Sequence, residues 1–527
     1  MSIAPASPPR LRTWLGLAAC GSLVAGVGSV LAPTPTLGAI AAFFALAVGV
    51  ALHRKLPQIF LVTLGVALIC YAFLGKGFAY LGTGSFYVGE LVLALGLVAA
   101  LVCFQDLLTV RSLTVWALIA FCVWGALRTA PYLSIYGFDA LRDATLWGYS
   151  LFAVLVGAFL VTTNWLRRIP EQYVVWTPWF LLWVPIGTIV VSVAGNALPR
   201  NPLTDTAIFG LKPGDLSVHL AGIAAFLLVG LHEITTRREN PVAGGSAAPR
   251  RAGGLLQEWV WWLGWLVGFF VTGAQNRGGL LSMLTACLVA GAFGRSTKWI
   301  KPLVAFTLVS LVLVSSDAGL SLGGTRLVSP QQLVDNVTSL TGSSTRQDLV
   351  GSREWRLAWW GTIVDYTVFG NYFFGGKGFG VNLAVDDGFD VTTDQSLRSP
   401  HNGHMTVLAR SGVVGFLIWV LLQTSFLISL VRTYLLARRA RDVWWARMSI
   451  WILAYWSAFM VNASFDVYLE GPQGGIWFWS VFGAGIALVL SYQRQRAPGF
   501  VGLLRGPPSV RQAFAQHQRR QAESGVR

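Results

Sequence analysis

The sequence predicts an all-α, polytopic membrane protein with about fourteen transmembrane helices. Three observations lead there. Of the 527 residues, 54% are hydrophobic and only 12% charged, whereas a soluble globular chain carries about 25% charged residues. A water-soluble core cannot hide that surplus, and the mean hydropathy of +0.60 agrees. Apolar stretches of helix-spanning length recur along most of the chain. Lysines and arginines alternate in abundance on the two sides of those stretches, as the positive-inside rule demands.

The stretches lie near 13–32, 37–52, 58–75, 87–104, 113–127, 145–165, 176–195, 217–232, 258–274, 278–294, 300–316, 404–432, 444–465 and 475–492. Arg10 and Arg12 precede the first, "TWLGLAACGSLVAGVGSVLA", a pattern that a cleaved signal peptide shares. Another apolar run follows at once from Leu37, so a retained first helix is expected. Both termini are expected in the cytoplasm. That orientation puts two thirds of the 39 basic residues inside, among them Arg54, Lys55, Arg111, Arg167, Arg168, Arg438, Arg439 and the tail arginines. The net charge of +16 is then membrane-orienting charge, and nucleic acid is excluded as a partner. The five cysteines fall inside apolar runs without CxxC spacing, so they read as small core residues.

This divides the chain into eleven helices over 1–316, an outer loop domain over 317–402, three helices over 403–492 and a basic tail over 493–527. The loop is expected to hold short helices. "SPQQLVDNVTSL" opens one, with Ser329 as N-cap and Pro330 at the first helical position. "REWRLAWWGTIVDYTVF" forms a second, "GGKGFGVNL" is a glycine turn, and "AVDDGFDVTTDQSLRSP" is an acidic return.

Candidate chemistry gathers on the outer side. Arg277, in "TGAQNRGGLLSML", lies in a very short turn between two apolar helices, where a guanidinium is costly unless it meets an anion. A snorkelling arginine is the plainer alternative, but Gly278 and Gly279 leave space for something to approach the backbone. In "GSREWRLAWWGTI", Arg353, Arg356 and Trp360 share one helix face and Trp355 and Trp359 another. Such a ridge suits a phosphate at headgroup level or a helix resting on the bilayer. "FFGGKGFG" has the glycine density of a phosphate loop without the following Lys-Ser/Thr; it reads as a structural turn, with Lys377 adding charge. His401 and His404 precede a glycine-punctuated apolar run. Metal ligation is weak, because no third ligand pattern accompanies them and Asp386, Asp387, Asp390 and Asp394 match no EF-hand. A neutral histidine at the membrane edge suits a general base, or is a hydrogen-bonded interfacial residue. Arg142 and Asp143 read as a structural pair, and Lys212, Asp215 and His219 also face outward.

Taken in order, "NRGG", "WRLAWW", "GGKGFG" and "SPHNGHMTVLARSGVVG" resemble the O-antigen ligase and polysaccharide polymerase superfamily, over roughly Trp261 to Trp419. The resemblance implies a GT-C-like helical membrane glycosyltransferase, without metal or other cofactor, in the cytoplasmic (inner) membrane. It implies transfer of an undecaprenyl-pyrophosphate-linked glycan, on the outer face, to a glycan or lipid-linked acceptor. By motif position, Arg277 and Arg356 match the pyrophosphate-holding arginines, with Arg142 and Arg353 as further candidates. His401 matches the base; Asn402, His404 and Lys377 are accessory. Fourteen helices exceed the usual twelve of a ligase, and with the long loop this favours a polymerase over a ligase to lipid A-core. A multi-pass transporter or lipid-linked sugar flippase is the reading from another class.

Overall fold

The computed structural model describes residues 55–83, 86–103, 111–194, 197–200, 207, 209–238, 252–294, 299–300, 302–304, 306–307, 320–321, 327–328, 332, 336, 347–392 and 395–496. The stretches expected near 13–32, 37–52 and, for the most part, 300–316 lie outside these, as do Ser329 and Pro330.

The described residues are overwhelmingly helical. The principal helices are α1 (Leu56–Leu74), α2 (Val88–Val102), α3 (Leu113–Thr129), α4 (Phe138–Gly148), α5 (Leu151–Thr163), α6 (Arg168–Ala194) and α7 (Pro213–Leu228). They continue as α8 (Ala252–Gln275), α9 (Arg277–Phe293), α10 (Gln347–Val368), α11 (Gly403–Arg439), α12 (Val443–Ala463) and α13 (Pro472–Arg496). Two antiparallel ladders of two residues per strand, Gly82–Thr83 with Phe86–Tyr87 and Leu320–Ser321 with Leu327–Val328, are the only sheets among the described residues. Among the described residues five helices are long and apolar enough to cross a membrane, six if α4 and α5, bent by 41°, count as one span. The chain is an all-α polytopic membrane protein.

Local chemistry sets the helix starts. Ser112 accepts from Val115 N–H to cap α3, Asn276 caps α9, and Asn402 caps α11 by accepting from the His404 and Met405 amides. Each satisfies donors that a helix start leaves unpaired. Aromatic side chains fill the centre: Trp262 and Trp479 are fully buried, and Phe426 stacks on Phe482 at 3.8 Å. The tryptophan-rich loop helix is longer than the quoted motif, 22 residues in α10. It packs on the start of α11 through Trp359, Ile363, Leu408 and Ala409.

The glycine turn explains the shape of α11, which breaks at Gly412 (φ 67°, ψ −173°). A break frees backbone groups, and the turn takes them up: Lys377 N–H donates to Ala409 O, Gly378 N–H to Arg410 O, and Val413 N–H to Phe373 O. A Cβ on Gly376 (φ +61°) would come within 2.5 Å of Ala409 O, so only glycine fits. The turn is a plug for a broken helix, as its missing phosphate-loop signature suggested.

Candidate active site

The segment joining α12 to α13, Ser464–Gly471, lies among four helix starts. Gly214 of α7 abuts Asn276 just before α9, Gly278 of α9 abuts Phe465, and Gly403 of α11 abuts Ala463. Arg277 sits at the first helical position of α9 and Lys212 at the N-cap of α7. A cation at a helix start works against the dipole by about 0.3–1 kcal/mol. Both positions therefore favour an anion nearby.

The dipeptide Phe465–Asp466 is where the candidates meet. Arg356 Nη1 donates to Phe465 O at 3.1 Å, and its guanidinium is close enough to Asp466 and Arg277 to feel both charges. His401 Nδ1 lies 3.8 Å from Asp466 Oδ1, and Lys212 Nζ 3.6 Å from Asp466 Oδ2. Lys76, in the turn after α1, feels Lys212, Asp215 and Asp466. Burial pushes the Asp466 carboxyl up, but the neighbouring His401, the Lys212 charge and the hydrogen bond from Val467 N–H more than offset it, holding it below the usual carboxylate range.

His401 is held from both sides. Trp360 Nε1 donates to Pro400 O at 3.0 Å, and Asn402 is engaged as the α11 cap. His401 itself takes the left-handed conformation, φ 52°, which histidine enters more readily than most residues but still at a cost. One third of its side chain remains exposed, so one edge faces Asp466 while the imidazole stays reachable from outside.

The other candidates are placed elsewhere. His404 is a packed core residue: Trp419 Nε1 donates to its Nδ1 at 3.2 Å, so its Nε2 carries the proton and donates to Met460 O at 3.3 Å. Lys377 is engaged by Asp386 and Asp387. Arg353 is exposed one turn before Arg356. Arg142 pairs with Asp139 and Asp143 at 3.4 and 3.7 Å. It belongs to a second cluster, where buried Asp143 holds Arg398 at 3.1 Å and Arg410 at 3.0 Å and accepts from Gly380 N–H. That cluster clasps the loop to α4 and α11. The space beside Gly278 and Gly279, expected to admit a ligand, is instead taken by Phe465 and Ser217.

Sequence reading missed Asp466 and Lys76 and left Lys212 without a role. A signal for Asp466 existed: like Arg277, it is a charge in a short turn between apolar helices, in "VNASFDVYLEG".

Among the described residues, one group can hold a metal, His232, Glu233 and Glu258, and it lies at the far end of α7, away from His401.

Fold and site together define a polytopic membrane protein with a cation-rich polar cluster at one end of its helical bundle. Residues 262–420 match the family described as O-Antigen ligase, Wzy_C, a stretch that contains Arg277, Arg356, the glycine turn and His401. Over that stretch, which is less than a third of the chain, the protein is similar to the O-antigen ligase family. Comparison with curated proteins gives no match.

Proposed function

We propose that the protein transfers or polymerises glycan from a lipid-pyrophosphate donor, with His401 as general base and Arg277 and Arg356 holding the pyrophosphate. The observation that carries this reading is the meeting of His401, Arg356 and Lys212 on Phe465–Asp466, with Arg277 beside them. An acceptor hydroxyl oxygen attacks the anomeric carbon and its proton passes to His401. The carbon–oxygen bond to phosphate breaks, and the pyrophosphate leaves with the electron pair. Asp466 orients the imidazole and stabilises its charged form. Lys76 and Lys212 face Asp215 and Asp466, and Arg356 faces Asp466 with Arg277 beside it. Four cations against two carboxylates leave positive charge in excess, as a pyrophosphate diester requires. Such fixed cations stabilise a leaving group without help from a metal ion. The site end is the outer face in this reading, and the donor carries undecaprenyl. The length of the 317–402 loop favours polymerisation over ligation.

The test is transfer by the purified protein in nanodiscs, from an undecaprenyl-pyrophosphate glycan, with and without EDTA. Chain extension unaffected by EDTA is expected. EDTA sensitivity would overturn metal independence, and export of intact donor without transfer would establish the transporter reading instead.

A further inference from the structure

An apolar cavity of about 510 Å³ lies between α1 and α6. Its walls run from Leu61 to Phe73 on α1 and from Arg168 to Phe180 on α6. Val62 and Val66 line it and are more than half exposed, so the cavity is a groove open to the lipid side. Phe73 makes edge contacts with Trp176 and Phe180, at 6.3 and 5.7 Å, so aromatic rings line the groove at the Phe73 end. Its floor includes His219, whose Nδ1 is already paired with Tyr455 Oη at 2.8 Å. That pairing accounts for His219, which is a satisfied wall residue and leaves the groove apolar.

We propose that this groove binds the isoprenoid chain of the lipid donor, a proposal that rests on the lipid-pyrophosphate reading above. Charge and length choose the occupant. One end of the groove lies just beneath the cationic cluster: Phe73 is three residues before Lys76, and His219 is seven after Lys212. A lipid with its pyrophosphate on the cluster therefore has its chain directed into the groove. Leu61 to Phe73 spans about 18 Å of helix, more than the roughly 15 Å half-thickness of a bilayer core. A chain entering from the site end runs past the midplane, as a polyprenyl chain does and a phospholipid acyl chain does not. At the far end Arg168 is laid over the Trp165 ring at 4.1 Å.

Gly65 marks the middle of the groove. A glycine inside a helix costs about 1 kcal/mol relative to alanine, and a Cβ added here would meet nothing within 4 Å. Its missing side chain keeps the groove wide.

The test compares Gly65→Trp and Gly65→Leu with the parent protein in two readouts. Native mass spectrometry of the full chain with undecaprenyl phosphate should show the bound lipid in the parent and its loss in Gly65→Trp. Equimolar phosphatidylglycerol should not displace it. Transfer from the undecaprenyl donor should fall by at least about tenfold in Gly65→Trp, since burial of several methylenes is lost. Transfer from a geranyl-pyrophosphate donor carrying the same glycan should stay within about twofold, because its ten-carbon chain ends above Gly65. Gly65→Leu, a smaller intrusion, should fall between. Equal losses with both donors, unchanged undecaprenyl binding, or displacement by phosphatidylglycerol would overturn the proposal. If the parent binds undecaprenyl phosphate but uses neither donor, the functional reading fails while the groove stands.

Discussion

His401 Nδ1 faces Asp466 Oδ1 across 3.8 Å, from a left-handed backbone that few side chains adopt. Asparagine tolerates that conformation, so His401→Asn keeps the turn and removes the base. Turnover should fall by about 10²–10⁴ with donor binding nearly intact. His404→Ala should cost much less turnover. It should instead destabilise the protein by about 1–3 kcal/mol, because the Trp419 N–H and Met460 O would be left unpaired. Transfer rates and thermal midpoints of the two variants, side by side, decide the roles; full activity in His401→Asn would remove it from the chemistry.

Asp466→Asn should lower turnover by about tenfold or more, through a lost charge-assisted contact to His401. A pH series checks the charge itself. Because the folded carboxyl lies below its usual range, its contribution to stability is complete above the unfolded value of about 3.9. It is lost as pH falls from there through the lower folded value. The stability gap between parent and Asp466→Asn should therefore be largest near neutrality and close in strong acid. A gap that does not depend on pH would mean that Asp466 acts by packing.

Arg277→Ala and Arg356→Ala should each weaken donor binding by roughly tenfold or more, since a hydrogen bond to a charged group contributes about 1.5–3 kcal/mol. Lysine should restore only part of it, because the forked geometry is lost. Binding assays with the lipid-pyrophosphate that show no change in either alanine variant would reduce both residues to membrane anchors.

Asp143 is nearly buried between Arg398 and Arg410. Asp143→Asn removes a counter-charge that the buried Arg410 guanidinium shares with Glu470, at a cost of about 1–3 kcal/mol. The thermal midpoint should drop and protease cutting within 377–398 should rise. A variant as stable as the parent would show that the loop is held by its apolar contacts alone.

Reporter fusions at Gly245 and Val385 should report opposite sides of the membrane, with Val385 outside. The same side for both would overturn the orientation.

The sequence alone settled the architecture, because a bilayer imposes one physical demand, internally satisfied backbone, on a long apolar segment. Eleven of the expected stretches coincide with described helices for that reason. It also singled out Arg277, Arg356 and His401, since charge at an apolar boundary is expensive and stands out in a chain this apolar. What it lacked was partnership. Lys377 is a charge like the others in sequence, yet its fate depends on Asp386 and Asp387 folding back onto it. His401 and His404 sit three residues apart and differ in surroundings, because one faces the Ser464–Gly471 turn and the other faces Trp419 and Met460. Asp466 is sixty-five residues from His401, and only the packing of α11 against α12 brings them together. Helix formation depends on near neighbours, whereas the pairing of charges depends on which helix ends the bundle places side by side.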